Sequence, residues 1–287
     1  MKKILVTGSG SFVGTRVMEA YRDRYALVTF PGGWLANADE EAVRAAVMEA
    51  QPDIIFHLAA MADMEECERN PEAAHRANVS LVEWMCRAAR DCGARLLAFS
   101  SDQVYNGRDD LGPFREEDTK TVNVYGRSKL EAEQRGLSIL PEAVFLRATW
   151  MYDFPLYGRV NKSNMLIEIL RAAVRNEAFA YAVADVRGIT YVRQVVDHLE
   201  RALELPGGAY NYGSENALGM YDTACVFLKA LGLEDRIPEL LIRDADRAPF
   251  SLAMDCSRLR EHGIAFDTTE EGIYRCVWDY GFGHLFH

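Results

Sequence analysis

Short apolar runs alternate with helical patterns through the first half of this 287-residue chain. The run Ile4-Leu5-Val6 is uniformly apolar, as expected for a strand that is covered on both faces of a sheet. Similar runs follow at 26–30, 53–58, 95–101 and 143–146, and helical spacing of apolar residues fills the gaps between them. Repeated strand–helix units join parallel strands through right-handed crossovers. The pattern therefore predicts an α/β fold with a doubly wound parallel sheet.

Beyond Arg147 the alternation becomes less regular. Helical patterns cover 163–176, 192–205 and 221–231, a further helix begins after Thr268 or Thr269, and short strands lie near 180–183 and 209–212. No linker separates this part from the first half. We predict one domain over 1–150 and a smaller α/β lobe over 151–287 that interlocks with it.

Composition excludes several classes of partner. The net charge of −11 and the pI near 5.1 argue against nucleic acid or an anionic membrane. A strand begins directly at the N-terminus, and no run of about 18 apolar residues occurs, so we expect a cytoplasmic protein. The six cysteines form no C-x-x-C pair, which predicts reduced thiols and no metal site.

A glycine-bearing turn, Thr7-Gly8-Ser9-Gly10-Ser11-Phe12-Val13-Gly14, joins the first strand to the first helix. Gly8 permits the tight turn, and Gly14 permits close packing of helix on strand. The amides at the helix N-terminus then face any bound pyrophosphate. This arrangement predicts a dinucleotide site.

Tyr125 and Lys129 are four residues apart in a predicted helix, so both side chains lie on one face. A neighbouring ammonium favours the phenolate and would lower the tyrosine pKa toward the range of a working proton donor or acceptor. This pair alone also occurs on exposed polar helix faces. Its order after the glycine turn and a strand that ends in Ser100-Ser101 is more specific.

This order resembles the extended short-chain dehydrogenase/reductase superfamily and, within it, the dTDP-4-dehydrorhamnose reductase family. Residues 100–105, Ser-Ser-Asp-Gln-Val-Tyr, are similar to the family's Ser-Thr-Asp-Tyr-Val-Phe, and residues 123–129, Asn-Val-Tyr-Gly-Arg-Ser-Lys, to its Asn-Val-Tyr-Gly-Lys-Thr-Lys. Further similar segments lie at 52–60, 147–150 and 247–255. The likeness covers nearly the whole chain and is loosest in its C-terminal third.

The resemblance implies an NAD(P)-binding domain with a Rossmann-type sheet over 1–150 and a substrate-binding role for the lobe over 151–287. It also implies an NAD(P)H-dependent reduction of a 4-keto sugar nucleotide. In that reaction Tyr125 gives a proton to the carbonyl oxygen, Ser101 hydrogen-bonds the same oxygen, and Lys129 binds the nicotinamide ribose and lowers the tyrosine pKa. The implied dinucleotide contacts, besides Tyr125 and Lys129, are Gly8, Ser9, Ser11, Phe12, Val13, Gly14, Arg16, Ala59, Ala60 and Asn78. We expect His57 to be a core histidine rather than a catalyst.

Two departures from the superfamily pattern bear on the cofactor. Ser11 stands where Gly-x-x-Gly-x-x-Gly has its middle glycine, so its Cβ crowds the phosphate path while its hydroxyl can bond a phosphate oxygen. The second strand ends Val28-Thr29-Phe30-Pro31 and lacks the acid that usually binds ribose hydroxyls in NAD sites. Arg16 can meet a 2′-phosphate, although a solvated arginine is the alternative. We therefore expect NADP in preference to NAD.

The segment Met61-Ala62-Asp63-Met64-Glu65-Glu66 replaces a loop that carries a basic residue in the family, so the sugar nucleotide itself stays open. The expected substrate contacts are Asp102, Gln103, Trp150, Arg187 and Arg247. Other basic residues considered for a diphosphate clamp are Arg159, Lys162 and Arg243, because a nucleotide sugar needs charged donors.

Two alternatives remain open at this point. One is a non-catalytic dinucleotide-binding subunit that resembles the regulatory subunit of methionine adenosyltransferase; the other is a nucleotide-sugar epimerase or dehydratase of the same superfamily. The intact Ser101, Tyr125 and Lys129 favour an enzyme, whereas Ser11 and the altered loop favour the regulatory subunit. The resemblance also leaves room for a homodimer.

Overall fold

The computed structural model describes residues 1–155 and 163–282. Contacts divide the chain into two compact units. The first consists of Met1–Gly107, Asp118–Ala148 and Val196–Asn211, and the second of Arg108–Glu117, Thr149–Val195 and Tyr212–His287. The domain division at residue 150 stays a prediction, because packing does not show which fragments fold alone.

The strands, in chain order, are β1 Lys3–Thr7, β2 Ala26–Thr29, β3 Ile54–His57, β4 Arg95–Ser101, β5 Val144–Ala148, β6 Trp150–Tyr152, β7 Phe179–Ala182, β8 Asp185–Val186, β9 Ile189–Tyr191, β10 Gly208–Tyr212, β11 Leu241–Asp244 and β12 Phe250–Ser251.

The α-helices are α1 Phe12–Tyr21, α2 Trp34–Asn37, α3 Glu40–Ala50, α4 Met64–Arg69, α5 Pro71–His75, α6 Leu81–Cys92, α7 Val124–Ile139, α8 Met165–Arg175, α9 Val192–Asp197, α10 Leu199–Ala202, α11 Met220–Ala230, α12 Ile237–Leu240, α13 Ser257–Glu261 and α14 Thr269–Asp279. A π-helical turn, Arg76–Ser80, precedes α6, and 3₁₀ helices cover Asp102–Tyr105 and Glu234–Arg236.

The first unit contains a six-stranded sheet in the order β10-β5-β4-β3-β1-β2. Strand β1 pairs in parallel with β2 and β3, β3 with β4, and β4 with β5, which confirms the predicted Rossmann-type parallel sheet. Strand order runs outward in opposite directions from the boundary between β1 and β3. Open α/β sheets bind ligands beyond the carboxyl ends of the strands at such a switch point.

The sixth strand, β10, comes from a distant part of the chain and lies beside β5. The sequence predicts that the strand near 209–212 belongs to the smaller lobe, but this strand lies in the sheet of the first unit. The Gly208 amide donates to the Ala143 carbonyl at 2.9 Å. A Cβ at Gly207 would lie 1.8 Å from the Pro141 carbonyl oxygen, so glycine is required for this close approach. Pairing between distant segments leaves no local sequence signal.

Both faces of this sheet are covered. Leu5, Ile55 and Phe145 pack on one face in a core shared with residues of α3, α6 and α7. On the other face the Tyr21 ring of α1 meets Phe56 edge-on, with centroids 5.7 Å apart. Burial on both sides explains why these strands are continuously apolar.

The described residues of the second unit form three two-stranded parallel sheets: β6 with β9, β7 with β11, and β8 with β12. Tyr152 and Phe227 meet edge-on at 5.0 Å in its core. Helix α14 begins after Thr268, which forms a capping box with Glu271, so the predicted helix start is confirmed. The single helix predicted over 192–205 is wrong: α9 and α10 are separate, with His198 between them.

Candidate active site

Two glycines of the turn after β1 are sterically required. Gly8 has φ +68°, in the left-handed region, and a Cβ there would lie 2.8 Å from the Ala59 amide nitrogen. A Cβ at Gly14 would lie 2.1 Å from the Gly8 carbonyl oxygen. Gly10, by contrast, faces open space. The turn, the segment after β3 and α1 therefore approach one another backbone to backbone.

Ser11 is the N-cap of α1, and its hydroxyl oxygen accepts the Gly14 amide at 3.0 Å. The Ser11 side chain thus caps the helix, which a glycine at this position could not do because it has no side chain. Within the described residues the Phe12 and Val13 amides have no hydrogen-bond acceptor. They remain available to an anion at the positive end of the helix, which fits a dinucleotide pyrophosphate. Half-buried Ser9 lies next to Gly8 in the same turn.

Arg16 is not a solvated side chain. Its guanidinium lies 4.0 Å from the centroid of the Phe12 ring, and Nη1 donates to the Phe12 carbonyl at 2.9 Å. The residue is only 9% exposed, so the alternative of a surface arginine is wrong. Strand β2 ends at an exposed Thr29, with no carboxylate at that position.

The ends of β1 and β3 are joined through Thr7, whose hydroxyl oxygen accepts the amides of Leu58 and Ala59 at 3.1 and 3.2 Å. Its own hydrogen is therefore directed to Nδ1 of His57, 3.0 Å away. Burial lowers the pKa of His57 to about 3, with the Lys129 charge adding to the effect. His57 is thus a neutral core histidine, but its Nε2 has no partner within the described residues. Ala60, the residue after Ala59, is exposed.

Asn78 lies in the π-helical turn and connects the segment after β3 to α7. Its Nδ2 donates to the Met61 carbonyl and to Ser128 Oγ, each at 3.0 Å, and its Oδ1 accepts the Met61 amide at 2.9 Å. Both amide hydrogens are therefore engaged in structural bonds. The side chain positions the segment that contains Ala59 and Ala60.

Ser101 ends β4, and Tyr125 is the second residue of α7. Asn123 caps this helix by accepting the Gly126 amide at 2.6 Å. A Cβ at Gly126 would lie 2.4 Å from the Gln103 carbonyl oxygen, so this glycine lets the helix start approach the 3₁₀ turn that follows Ser101. The Ser101 hydroxyl donates to Asp102 Oδ1 at 3.1 Å and lies close enough to the Tyr125 phenol to lower the pKa of that group.

Lys129 lies one turn further along α7, where its Nζ donates to the Phe99 carbonyl at 2.5 Å. Burial lowers the pKa of Lys129 to about 8, and the Glu133 carboxylate opposes that fall. Burial raises the pKa of Tyr125; the nearby Ser101 hydroxyl opposes the rise and the Asp102 charge adds to it. The expected lowering of the tyrosine pKa by Lys129 is not found: burial of the phenol raises that pKa, and Lys129 is not among the groups that oppose the rise. Tyr125 is protonated at neutral pH.

The expected substrate residues occur in both units. Asp102 is buried beside Ser101, and Gln103 Oε1 accepts from the side-chain amides of Asn106 and Asn123 at 3.3 and 3.2 Å. In the second unit half-buried Trp150 begins β6, and Arg247 is exposed.

Arg187, also in the second unit, pairs with Asp185 at 3.4 Å and lies 5.6 Å from the Phe250 ring centroid. Arg243 lies 6.0 Å from the Tyr221 ring centroid. Arg159 and Lys162 are outside the described residues.

Glu133 and Arg147 form a buried ion pair at 2.6 Å next to this site. Neither was among the residues expected to act here. The available signal was the spacing of Tyr125, Lys129 and Glu133, which repeats every four residues along one helix face.

Residues 1–155 and 163–282 contain no group of three or more histidine, cysteine, aspartate or glutamate side chains arranged to hold a metal ion. No helix in these ranges is both long enough and apolar enough to cross a membrane.

Comparison with known proteins gives consistent relatives. The model of the family described as RmlD substrate binding domain matches residues 1–282. A dTDP-4-dehydrorhamnose reductase of Sinorhizobium fredii is 27% identical, over 96% of this chain and 97% of that protein. Methionine adenosyltransferase 2 subunit beta of Xenopus laevis is 28% identical, over 97% of this chain and 88% of that protein.

A solved structure shares the fold. The dTDP-4-dehydrorhamnose reductase of Bacillus anthracis, determined in complex with NADP, superposes with a TM-score of 0.85 and 19% identity, covering 97% of this chain and 99% of that one. Because the family model spans both units and nearly every described residue, the chain belongs to the RmlD substrate binding domain family.

Proposed function

We propose that this chain is an NAD(P)H-dependent reductase of a 4-keto sugar nucleotide, similar to its dTDP-4-dehydrorhamnose reductase relatives. The observation that carries the proposal is the meeting of Ser101 and Tyr125, with Lys129 one turn along the same helix, at the carboxyl edge of the parallel sheet. A hydroxyl, a phenol and an ammonium together can protonate and polarise a carbonyl oxygen.

The turn after β1 fits a dinucleotide. Gly8 and Gly14 have no side chains to obstruct the backbone of the turn. The Phe12 and Val13 amides can donate hydrogen bonds to the pyrophosphate beside the Ser11 hydroxyl. A bound reduced nicotinamide supplies the hydride. Lys129 can hold its ribose, because the bond to the Phe99 carbonyl uses one of three ammonium hydrogens.

The proton for the reduced oxygen comes from Tyr125 in this proposal. Because burial raises its pKa, the phenol carries its proton at neutral pH and acts as a donor in the reductive direction. Ser101 orients the carbonyl by a second hydrogen bond to the same oxygen. Loss of either group leaves the developing negative charge on that oxygen poorly stabilised.

NADP is the proposed form of the dinucleotide. The end of β2 has no acid to bind the ribose hydroxyls, and Arg16 lies about one turn into α1, the helix that follows the glycine turn. Titration with both reduced dinucleotides tests this point. NADPH should bind more tightly; equal or tighter binding of NADH would show that Arg16 serves only its contacts with Phe12.

The substrate contacts stay proposals: Asp102 and Gln103 in the first unit, and Trp150, Arg187 and Arg247 in the second. Arg187 is steadied by Asp185 and suits a phosphate oxygen. We also retain two expectations, a homodimer and a cytoplasmic location. The second is supported by the six cysteines, which form no disulfide within the described residues.

The test is a screen of keto sugar nucleotides, dTDP-4-dehydrorhamnose among them, that follows loss of the reduced-nicotinamide absorbance. Wild type should oxidise the dinucleotide only when a suitable ketone is present. Tyr125→Phe keeps the ring volume but lacks the proton donor, so turnover should fall by about 10² to 10⁴ while dinucleotide binding persists. Full activity of Tyr125→Phe would show that the assigned proton donor is wrong.

The second candidate is a dinucleotide-binding regulatory subunit. It is favoured by the 97% coverage of this chain in the match to methionine adenosyltransferase 2 subunit beta. It is less supported, because a purely regulatory role does not require Ser101, Tyr125 and Lys129 to be kept in one arrangement. A chain that binds the dinucleotide tightly but reduces none of the ketones would favour it.

A further inference from the structure

Glu133 continues the row of functional side chains on α7. Tyr125, Lys129 and Glu133 are spaced by four residues and share one helix face. Glu133 is only 2% exposed. Its carboxylate accepts from Arg147 Nε at 3.0 Å and Nη2 at 2.6 Å, and from the hydroxyl of Ser100. A charge is thus buried and held rigidly one turn from the active-site ammonium.

The end of β4 binds each member of this row in turn. The Ser101 hydroxyl meets Tyr125, the Phe99 carbonyl accepts Lys129 Nζ, and the Ser100 hydroxyl donates to Glu133. Ser100 and Arg147 are direct partners across β4 and β5, so both approach Glu133 from adjacent strands. Arg147 is in turn held by the Tyr105 hydroxyl, 2.7 Å from its Nη1. The carboxylate therefore has a fixed position relative to Lys129.

A buried ion pair is weak evidence for stability, because desolvation of both charges offsets most of their attraction. Its place here supplies a different reason for keeping it. Lys129 is also buried, and an isolated buried ammonium tends to lose its proton. A nearby fixed carboxylate counteracts that loss.

We propose that Glu133 is a positioning residue of the active site, whose buried charge keeps the Lys129 ammonium protonated and aligned behind Tyr125. The proposal deepens, and rests on, the proposed reductase function, in which a charged Lys129 is needed. It agrees with the pKa of Lys129, which burial lowers to about 8 against the opposing effect of Glu133. The hydrogen bonds of Glu133 go to Arg147 and Ser100, and that of Lys129 Nζ goes to the Phe99 carbonyl. Glu133 therefore acts on Lys129 through its electrostatic field rather than by direct contact.

Other ionisable groups also face α7 or its lysine. They are Cys67 and Glu68 of α4, His75 of α5, Glu83 of α6, Asp102 of the 3₁₀ turn, Arg147 of β5 and His57 of β3. Of these, Cys67 also raises the pKa of Lys129, but less than Glu133 does. The Cys67 thiol is neutral at working pH. Of these two groups, Glu133 is therefore the one that supplies a standing negative charge.

The test removes this charge without leaving its partner unpaired. Glu133→Gln alone leaves the buried Arg147 charge without its carboxylate partner and is expected to destabilise the fold. The main variant therefore combines Glu133→Gln with Arg147→Met. Glu133→Asp is the conservative rescue, because it keeps the charge. Glu131→Gln is the matched control on the same helix, since Glu131 is more exposed and pairs with Arg135.

The first readout is the titration of Lys129 by NMR of the lysine side chains. The chain has only six lysines, and Lys129→Met identifies the signal. In the double variant the pKa of Lys129 should fall by on the order of one unit, because Glu133 raises that pKa whereas Arg147 is not among the groups that shift it. Such a fall is a tenfold smaller charged fraction at high pH. Glu133→Asp and Glu131→Gln should leave it near its wild-type value. A folded double variant with an unchanged Lys129 titration would overturn the proposal.

The second readout is the pH dependence of kcat. A group that must be protonated gives activity below its pKa and loses it as pH rises through that pKa, so the alkaline limb should move to lower pH in the double variant. An unmoved limb with intact activity would also overturn the proposal. If wild type reduces no keto sugar, the proposed function fails on its own, and the NMR titration alone decides the role of Glu133.

Discussion

Gly126→Ala should separate the catalytic side chains while leaving their chemistry intact. The added Cβ would lie 2.4 Å from the Gln103 carbonyl oxygen, whereas real Cβ atoms essentially never approach closer than 3.0 Å. The start of α7 and the 3₁₀ turn after Ser101 must therefore move apart by roughly 1 Å to regain ordinary contact. Because Tyr125 and Ser101 are on opposite sides of this contact, their separation increases.

The expected loss of activity is large for so small a shift. A misplacement of about 1 Å can cost about 10²-fold in rate, so kcat should fall by about that factor. Overpacking costs about 1–3 kcal/mol, and the higher helix propensity of alanine returns up to about 1 kcal/mol, so the variant should remain folded. Steady-state reduction of the keto sugar found in the screen, together with urea unfolding, measures both effects.

Gly136→Ala is the matched control on the same helix. Its Cβ would meet the Phe145 ring at 2.4 Å, but near the other end of α7. It should lower the free energy of unfolding by a similar amount and leave kcat within about twofold of wild type. The argument is refuted if a folded Gly126→Ala protein keeps wild-type turnover, or if Gly136→Ala loses as much activity.

Three further outcomes are expected. Lys129→Ala should lower both kcat and dinucleotide affinity, measured by steady-state kinetics and titration; a normal affinity would remove the ribose contact from its role. His57 has a folded-state pKa of about 3, below its usual 6.5, so the unfolded chain takes up the proton first and stability should fall as pH drops between these values, by up to about 1.4 kcal/mol per pH unit. The free energy of unfolding, measured in urea at several pH values, should change less steeply with pH for His57→Gln than for wild type. An equal dependence on pH would contradict this. Ser11→Ala should cost about 1 kcal/mol of stability and Ser11→Gly only a few tenths, because Ser11 caps α1; equal melting temperatures for the two would argue against the cap.

Local patterns predicted much of this fold. Apolar runs located the strands from β1 to β5. Strands β1, β3, β4 and β5 are mostly buried, as expected for strands covered on both faces, whereas the edge strand β2 is only half-buried. The helical spacing of Tyr125 and Lys129 placed them on one face, and the strand that ends in Ser101 brings a hydroxyl to Tyr125. These features depend on neighbours in the sequence, or on parallel strands ending at one edge.

Features set by distant contacts or by burial were not predictable in the same way. Strand β10 joins β5 across a long stretch of chain, and Arg147 pairs with Glu133 from a different element. The pKa of Tyr125 rises because the phenol is buried, which the spacing of Tyr125 and Lys129 cannot show. The requirement for glycine at position 126 depends on the close approach of the Gln103 carbonyl oxygen, which the motif does not show.

The most direct test of the central claim is the transfer of deuterium from labelled reduced nicotinamide to a keto sugar nucleotide. Wild type with dTDP-4-dehydrorhamnose, or with the best ketone from the screen, should give a product that carries deuterium on the former carbonyl carbon, seen by mass spectrometry. A product without the label, or tight binding of the dinucleotide with no product from any ketone, would contradict the assignment of Ser101, Tyr125 and Lys129 to carbonyl reduction.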